Sequence, residues 1–215
     1  MNTRRVSRDG TALLRRLREP APPRPEQCGL CGHDLPPGHR HLVDVEERAL
    51  ACTCTACGLL FQQHGAAGGR YRTVPDRCLV DPDGELDERV WSVLGVPVGT
   101  VFLFRNAVLD RLLAFYPGPA GATESEVDEE AWQRALGTSR LAAALEPDVE
   151  ALLLRRAEGR VACYLVPIDV CYELVGRLRR CWHGFDGGAE ARAELDAFFE
   201  QLAHRARPLP AAVTA

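Results

Sequence analysis

The sequence predicts an α+β protein in which a small four-cysteine module, zinc-ribbon or rubredoxin-like, precedes a domain built on an antiparallel or mixed sheet. Three observations predict it. Cys28-Gly29-Leu30-Cys31-Gly32 and Cys54-Thr55-Ala56-Cys57-Gly58 repeat one pattern at the two ends of a stretch that alternates like a hairpin. From about Leu86 onward, short alternating runs are interleaved with runs whose apolar residues recur every three or four positions, the signatures of strands and helices. The 215 residues suffice for one domain with a real core plus an accessory module.

Residues 1–26 form a basic, proline-rich leader: Arg4, Arg5, Arg8, Arg15, Arg16, Arg18 and Arg24 stand against Asp9, Glu19 and Glu26. Leu13, Leu14 and Leu17 give residues 11–19 a short helical stripe, which Pro20, Pro22, Pro23 and Pro25 end. The leader reads as a solvated tail, with a docking arm for an acidic partner as the alternative. Residues 27–75 read as a self-contained metal module, because cysteines cluster there while apolar residues are too few to fold it unaided. Within it, residues 42–45 and 49–52 alternate as two strands, residues 46–48 supply the turn, and 65–70 read as a flexible loop.

Residues 86–206 form the second domain. Its expected order is a helix over 86–94, strands over 96–104 and 108–116, a Pro/Gly loop over 117–121, and a helical region over 128–145 broken at Gly137. Strands follow over 149–155 and 161–166, then helices over 168–182 and 189–206. Cys171, Leu174, Val175, Leu178, Cys181 and Trp182 mark the buried face of the first helix, and Leu195, Phe198, Phe199 and Leu202 that of the second. Residues 207–215 read as a disordered tail.

Composition excludes several chemistries. All 26 basic residues are arginines. Without lysine there is no phosphate-loop nucleotide site, no pyridoxal Schiff base and no kinase strand lysine. The sole methionine is Met1, which removes methionine-ligated copper and haem. No stretch approaches the roughly 18–20 apolar residues of a membrane span, and Thr3-Arg4-Arg5 has no apolar segment after it to make an export signal. The protein is therefore expected in the cytoplasm, and its nine cysteines fit metal ligation and buried thiols better than disulfides.

Cys28, Cys31, Cys54 and Cys57 are the candidate metal ligands. A two-residue gap lets a tight turn aim both sulfurs at one ion, and the following glycine can take positive φ so that backbone N–H groups face the thiolates. The 22 residues between Cys31 and Cys54 fit a hairpin, slightly above the usual ~15–20 for this spacing class. Cys52 offers a third thiol beside the second pair, as a strand residue or a substitute ligand. His33, His39, His41 and His64 are possible replacements too, but histidines in short polar turns are more often surface residues. Rubredoxins pack aromatics around iron, whereas residues 28–60 hold none and Phe61 is the first. One zinc ion per chain is therefore expected, with iron the alternative. A closed four-thiolate zinc has no open position, so a structural or platform role, not catalysis, is predicted.

Other candidates have plainer explanations. The segment 116–125 could admit a ligand to its backbone N–H groups, yet Thr123 or Ser125 as a helix cap explains it as well. Asp169 is expected as the N-cap of the helix from 168, and Asp148 and Glu150 as a solvent-facing pair. Cys163, Cys171 and Cys181 read as buried thiols. From Cys28 to Phe61, Arg40 and Arg48 face Asp34, Asp44, Glu46 and Glu47, so the module is acidic and a zinc-ribbon nucleic-acid regulator is the weaker alternative.

Together, Cys28–Gly32, His39-Arg40-His41-Leu42-Val43-Asp44, Cys52–Cys57, Tyr116–Ser125, Glu146–Leu153 and Val166–Tyr172 resemble the actinobacterial family labelled domain of unknown function 5947, over about residues 27–205. The resemblance implies an accessory role beside uptake nickel-iron hydrogenases, near whose genes members are encoded, with a hydrogenase subunit as the protein partner. It assigns no residue a catalytic role.

Overall fold

The computed structural model describes residues 25–210 apart from residues 64, 85, 87, 158 and 185. The arginines of the leader and its expected helix lie outside the described residues. The first sheet contains the hairpin that the alternation predicts: β1 (Arg40–Asp44) pairs antiparallel with β2 (Ala49–Thr53), Leu42 opposite Ala51 and His41 opposite Cys52. Asp44 closes the turn by accepting from the backbone N–H groups of Glu46 and Glu47. A short helix α1 (Thr55–Leu59) follows, and β3 (Tyr71–Thr73) pairs with the other edge of β1. Three residues are too few to show a period, so β3 is invisible in the sequence.

The second sheet is mixed. It comprises β4 (Leu79–Val80), β5 (Thr100–Asn106), β6 (Arg111–Gly118), β7 (Gly121–Val127), β8 (Glu150–Ala157), β9 (Arg160–Pro167) and β10 (Arg207–Pro208), in the order β10-β4-β9-β8-β5-β6-β7. All neighbours run antiparallel except β10 beside β4. Its helices are α2 (Arg89–Leu94), α3 (Glu129–Leu136), α4 (Arg140–Ala143), α5 (Ile168–Cys181) and α6 (Gly188–Arg205). Neither β4 nor β10 was legible in the sequence, and the tail is not disordered from 207, because Arg207 and Leu209 donate to the carbonyls of Cys78 and Val80.

Successive residues of a strand face opposite sides, so an unbroken apolar run must be covered on both. Ala151–Leu154 is such a run. Ala151 and Leu153 join Phe102, Val166 and the apolar stripes of α5 and α6 in one core, while Leu152 and Leu154 join Val101, Leu103 and residues of α2, α3 and α4 in the other. The stripe at Cys171, Leu174, Val175 and Leu178 is buried as its spacing requires.

The expected loop at 117–121 is a hairpin. β6 continues to Gly118, which pairs with Gly121, leaving Pro119-Ala120 at the tip. Gly121 has φ 124°, a conformation glycine accepts without steric cost. Thr123 and Ser125 therefore lie in the polar edge strand β7 and cap nothing; Asp128 caps α3, accepting from the N–H groups of Glu130 and Ala131. An edge strand facing water carries no apolar alternation, which is why it reads as loop.

The four-cysteine module is not self-contained. Val43 and Val74 belong to the same core as Ile168, Cys171 and Leu174, and Val45 and Leu50 pack against it. Arg48 bridges to Glu124 at 3.0 Å and Arg72 to Asp148 at 3.1 Å.

Asp148 and Glu150 are buried, not a solvent-facing pair. Asp148 accepts from Arg72 and from the Ala107 N–H. Glu150, fully buried, accepts from Arg77 Nε at 2.6 Å and Nη2 at 2.7 Å and from the Glu146 N–H at 3.0 Å. A fork-on-carboxylate bond of this kind offsets the desolvation of the charge, and removing one side leaves the other uncompensated. Arg77→Ala is therefore expected to cost about 3 kcal/mol in urea unfolding, and adding Glu150→Gln, which removes the stranded charge, should recover part of that loss.

Candidate metal centre

Backbone hydrogen bonds hold the first knuckle. Gln27 bridges to Asp34, the Cys28 N–H donates to the His33 carbonyl at 2.8 Å, and the Gly32 N–H donates to the Cys28 carbonyl at 2.8 Å. Gly29 N–H donates to the Cys52 carbonyl at 2.9 Å, which docks this knuckle on β2. β2 then delivers the second knuckle. Cys54 is the N-cap of α1, and the Cys57 N–H donates to Cys54 Sγ at 3.4 Å.

The four sulfurs of Cys28, Cys31, Cys54 and Cys57 lie within 4.8 Å of one another, with Cys31 and Cys54 at 3.8 Å. A tetrahedral ion bonded to sulfur at about 2.3 Å has sulfur–sulfur edges of about 3.8 Å. The cluster is thus geometrically capable of holding one metal ion. Cys28 is buried, Cys54 and Cys57 are half-buried, and Cys31 is exposed.

Ionisation across the cluster is uneven. Burial pushes the Cys28 thiol up, but hydrogen bonds to the backbone of Cys54, Cys31 and Leu30 outweigh it and bring it down to about 6. Cys57 is pushed up to about 12, chiefly by its contacts with the sulfurs of Cys54 and Cys31 and then by burial. Four adjacent thiols cannot all shed protons without a cation among them, and a dication is what would replace those protons.

The knuckle glycines differ from expectation in one respect. Gly32 has φ 72°, as the motif requires, whereas Gly58 is helical and lies 3.5 Å or more from Arg40 and Thr53 at its would-be Cβ.

Cys52 lies outside this set. It faces His41 across the hairpin and groups with His39 and His41, one ligand atom from each lying within 4.8 Å of the others. Burial pushes its thiol up, with Glu26 and Cys28 adding to the effect. His39 and His41 are not surface residues: their side chains are 8% and 21% exposed. His33 is exposed and His64 lies outside the described residues.

Asp169 is not the N-cap of α5, a position taken by Pro167; its Oδ2 sits 2.8 Å from His41 Nδ1. Nothing in the sequence pairs residues 41 and 169. His41 is in β1 and His39 stands immediately before it. Segment 116–125 forms a hairpin. Cys171 is buried and Cys163 and Cys181 are half-buried, and burial pushes the Cys163 thiol up to about 12. All nine cysteines are free of disulfides.

The chain matches the model of a family of unknown function, DUF5947, over residues 27–206, and it belongs to that family. Comparison with curated proteins finds no match, and comparison with solved structures finds none. No described helix is long and apolar enough to cross a membrane.

The two glycines give a paired prediction. Gly32→Ala should lower the unfolding free energy of the metal-loaded protein by about 1–2 kcal/mol, because its left-handed backbone strains any Cβ. Gly58→Ala, helical and with room, should be neutral or stabilising by up to about 1 kcal/mol, so denaturant titrations of the two variants should move apart.

Proposed function

We propose that this chain is a non-enzymatic, zinc-binding accessory protein that works in the cytoplasm by protein–protein contact. The observation that carries the reading is the convergence of four thiols into one tetrahedron-sized cluster on a hairpin that shares its core with the sheet domain. A closed four-thiolate zinc offers no position to substrate, so its contribution is to fix the two knuckles.

The knuckles also carry apolar surface. Leu30 lies between Cys28 and Cys31, and Leu59 and Leu60 follow the second pair after Gly58; all three are exposed, Leu60 by 69%. Exposed leucines on both arms of one rigid centre make a surface suited to a protein partner. Acidic side chains around the hairpin argue against nucleic acid as that partner. The family resemblance alone supplies the finer identity, a nickel-iron hydrogenase subunit in assembly or electron-transfer support.

The exposure of Cys31 favours one second reading, a rubredoxin-like iron centre that exchanges electrons through that sulfur. Anaerobic purification decides between them. Zinc chemistry predicts a colourless protein whose cobalt derivative shows the intense thiolate-to-metal absorption of a four-sulfur site, lost in Cys31→Ser/Cys57→Ser; a red protein that bleaches on reduction would replace zinc by iron. Leu59→Glu/Leu60→Glu should keep the metal and abolish co-purification with a hydrogenase subunit. If the unaltered protein shows no such co-purification and its deletion leaves hydrogenase activity unchanged, the accessory role in hydrogenase assembly is refuted.

A further inference from the structure

We propose that His39, His41 and Cys52 form a second metal site, for a divalent ion of the zinc class, with three protein ligands and a fourth position open to a cleft. The site is built from residues outside the four-sulfur cluster and does not rest on the function proposed above.

Strand geometry brings the three together. His41 lies in β1 and His39 stands immediately before the strand, their rings side by side, and the β1–β2 register sets Cys52 directly opposite His41. The two imidazole centroids are 4.8 Å apart and tilted by 58°. Each ring faces its Nδ1 to an acceptor. His39 Nδ1 lies 3.2 Å from the Pro36 carbonyl and 3.5 Å from a Glu26 carboxylate oxygen, and His41 Nδ1 lies 2.8 Å from Asp169 Oδ2. Carbonyl and carboxylate oxygens accept, so these contacts assign the proton to Nδ1, and the neutral ring then presents its Nε2 lone pair. A carbonyl or carboxylate behind the distal nitrogen is the arrangement that orients metal-binding histidines.

A second observation points to a missing partner. His39 Nε2 is buried without any hydrogen bond, on a side chain only 8% exposed, and Asp169 Oδ1 is likewise buried and unpartnered. Buried polar atoms are normally satisfied, and leaving one bare costs free energy. A tether between His41 and Asp169 explains neither the bare nitrogen of His39 nor the presence of Cys52 beside it. An ion on the two Nε2 atoms and Cys52 Sγ accounts for both.

The donor set selects the ion class. Two imidazoles and a thiolate suit zinc and its neighbours and do not suit calcium or magnesium, which take oxygen. Three protein ligands leave one position for water or a small donor, as reactive zinc sites do and structural ones do not. All three residues line a cleft of about 680 Å³ whose walls also include Asp169, Glu173 and Arg205, so that fourth position has room for an exogenous ligand.

The test counts metal and reads its environment. Full-length apo-protein titrated with cobalt(II) or zinc(II) should bind two equivalents, and His39→Ala/Cys52→Ala, which keeps the His41–Asp169 contact, should bind one. The four-sulfur cobalt absorption must survive unchanged in that variant, which verifies that the hairpin has folded. Asp169→Asn should weaken only the second equivalent, by ten- to a hundredfold. Azide should shift the second cobalt spectrum and not the first. One equivalent in the unaltered protein that His39→Ala/Cys52→Ala leaves in place, or two retained in the double variant, overturns the proposal. Should the four-sulfur site itself prove empty, a chain with Cys31→Ser/Cys57→Ser must still bind one ion that Cys52→Ala removes.

Discussion

The register of the β1–β2 hairpin is the constraint on which the rest depends. Leu42 and Val43 hold it: they face opposite sides of β1 and both are buried, so a slip of one residue would exchange the two packed surfaces. With Arg40 opposite Thr53, β2 ends where Cys54 can meet Cys28 and Cys31. The same pairing sets Cys52 against His41. Two clusters of ligand atoms thus follow from one ladder of backbone hydrogen bonds, and the first knuckle joins that ladder through the Gly29 N–H on the Cys52 carbonyl.

The hairpin is in turn seated on the large sheet. Val43, Val74 and Leu50 complete a core that α5 and α6 begin, so the module obtains from the second sheet the apolar cover its own sequence lacks. Asp169 stands in the first turn of α5 and reaches back to His41, while Glu124 on the edge strand β7 reaches Arg48. An ion organising the knuckles would therefore act on a surface continuous with the sheet. The family match runs from the first knuckle to the end of α6 and so takes in both sheets.

Much of this was legible and the reasons for the remainder are physical. Cysteine spacing located the four-sulfur cluster because two-residue gaps have few other uses, and the run through Leu152-Leu153-Leu154 marked a strand covered on both faces. The acidic residues of β7 concealed it because an edge strand meets water. Asp148 and Glu150 read as surface residues because their counter-ions, Arg72 and Arg77, are more than seventy positions away in sequence. His39 and His41 depart from the surface expectation for a related reason: a polar turn in sequence says nothing of the helix that will be laid over it.

The absence of lysine also acquires a structural sense here. Between residues 70 and 81 the chain leaves the small sheet and enters the large one, and each step is clamped by an arginine on a buried carboxylate. Arg70 holds Asp44 through Nε and Nη2, Arg72 holds Asp148, Arg77 holds Glu150, and Arg140 reaches Asp81. The Arg70 guanidinium keeps the Asp44 carboxyl below its ordinary range. A planar fork can satisfy two lone pairs of a carboxylate at once, which a lysine ammonium cannot do with the same geometry. Whatever bias placed arginine throughout the chain, the crossing between the two sheets uses paired N–H groups at Arg70 and Arg77, which a lysine ammonium would not reproduce with the same geometry, while Arg72 and Arg140 each place one N–H on their carboxylate. That crossing carries β3 to β1 and β4 to the large sheet, so it fixes the position of the cysteine-bearing hairpin against the helices that complete its cleft.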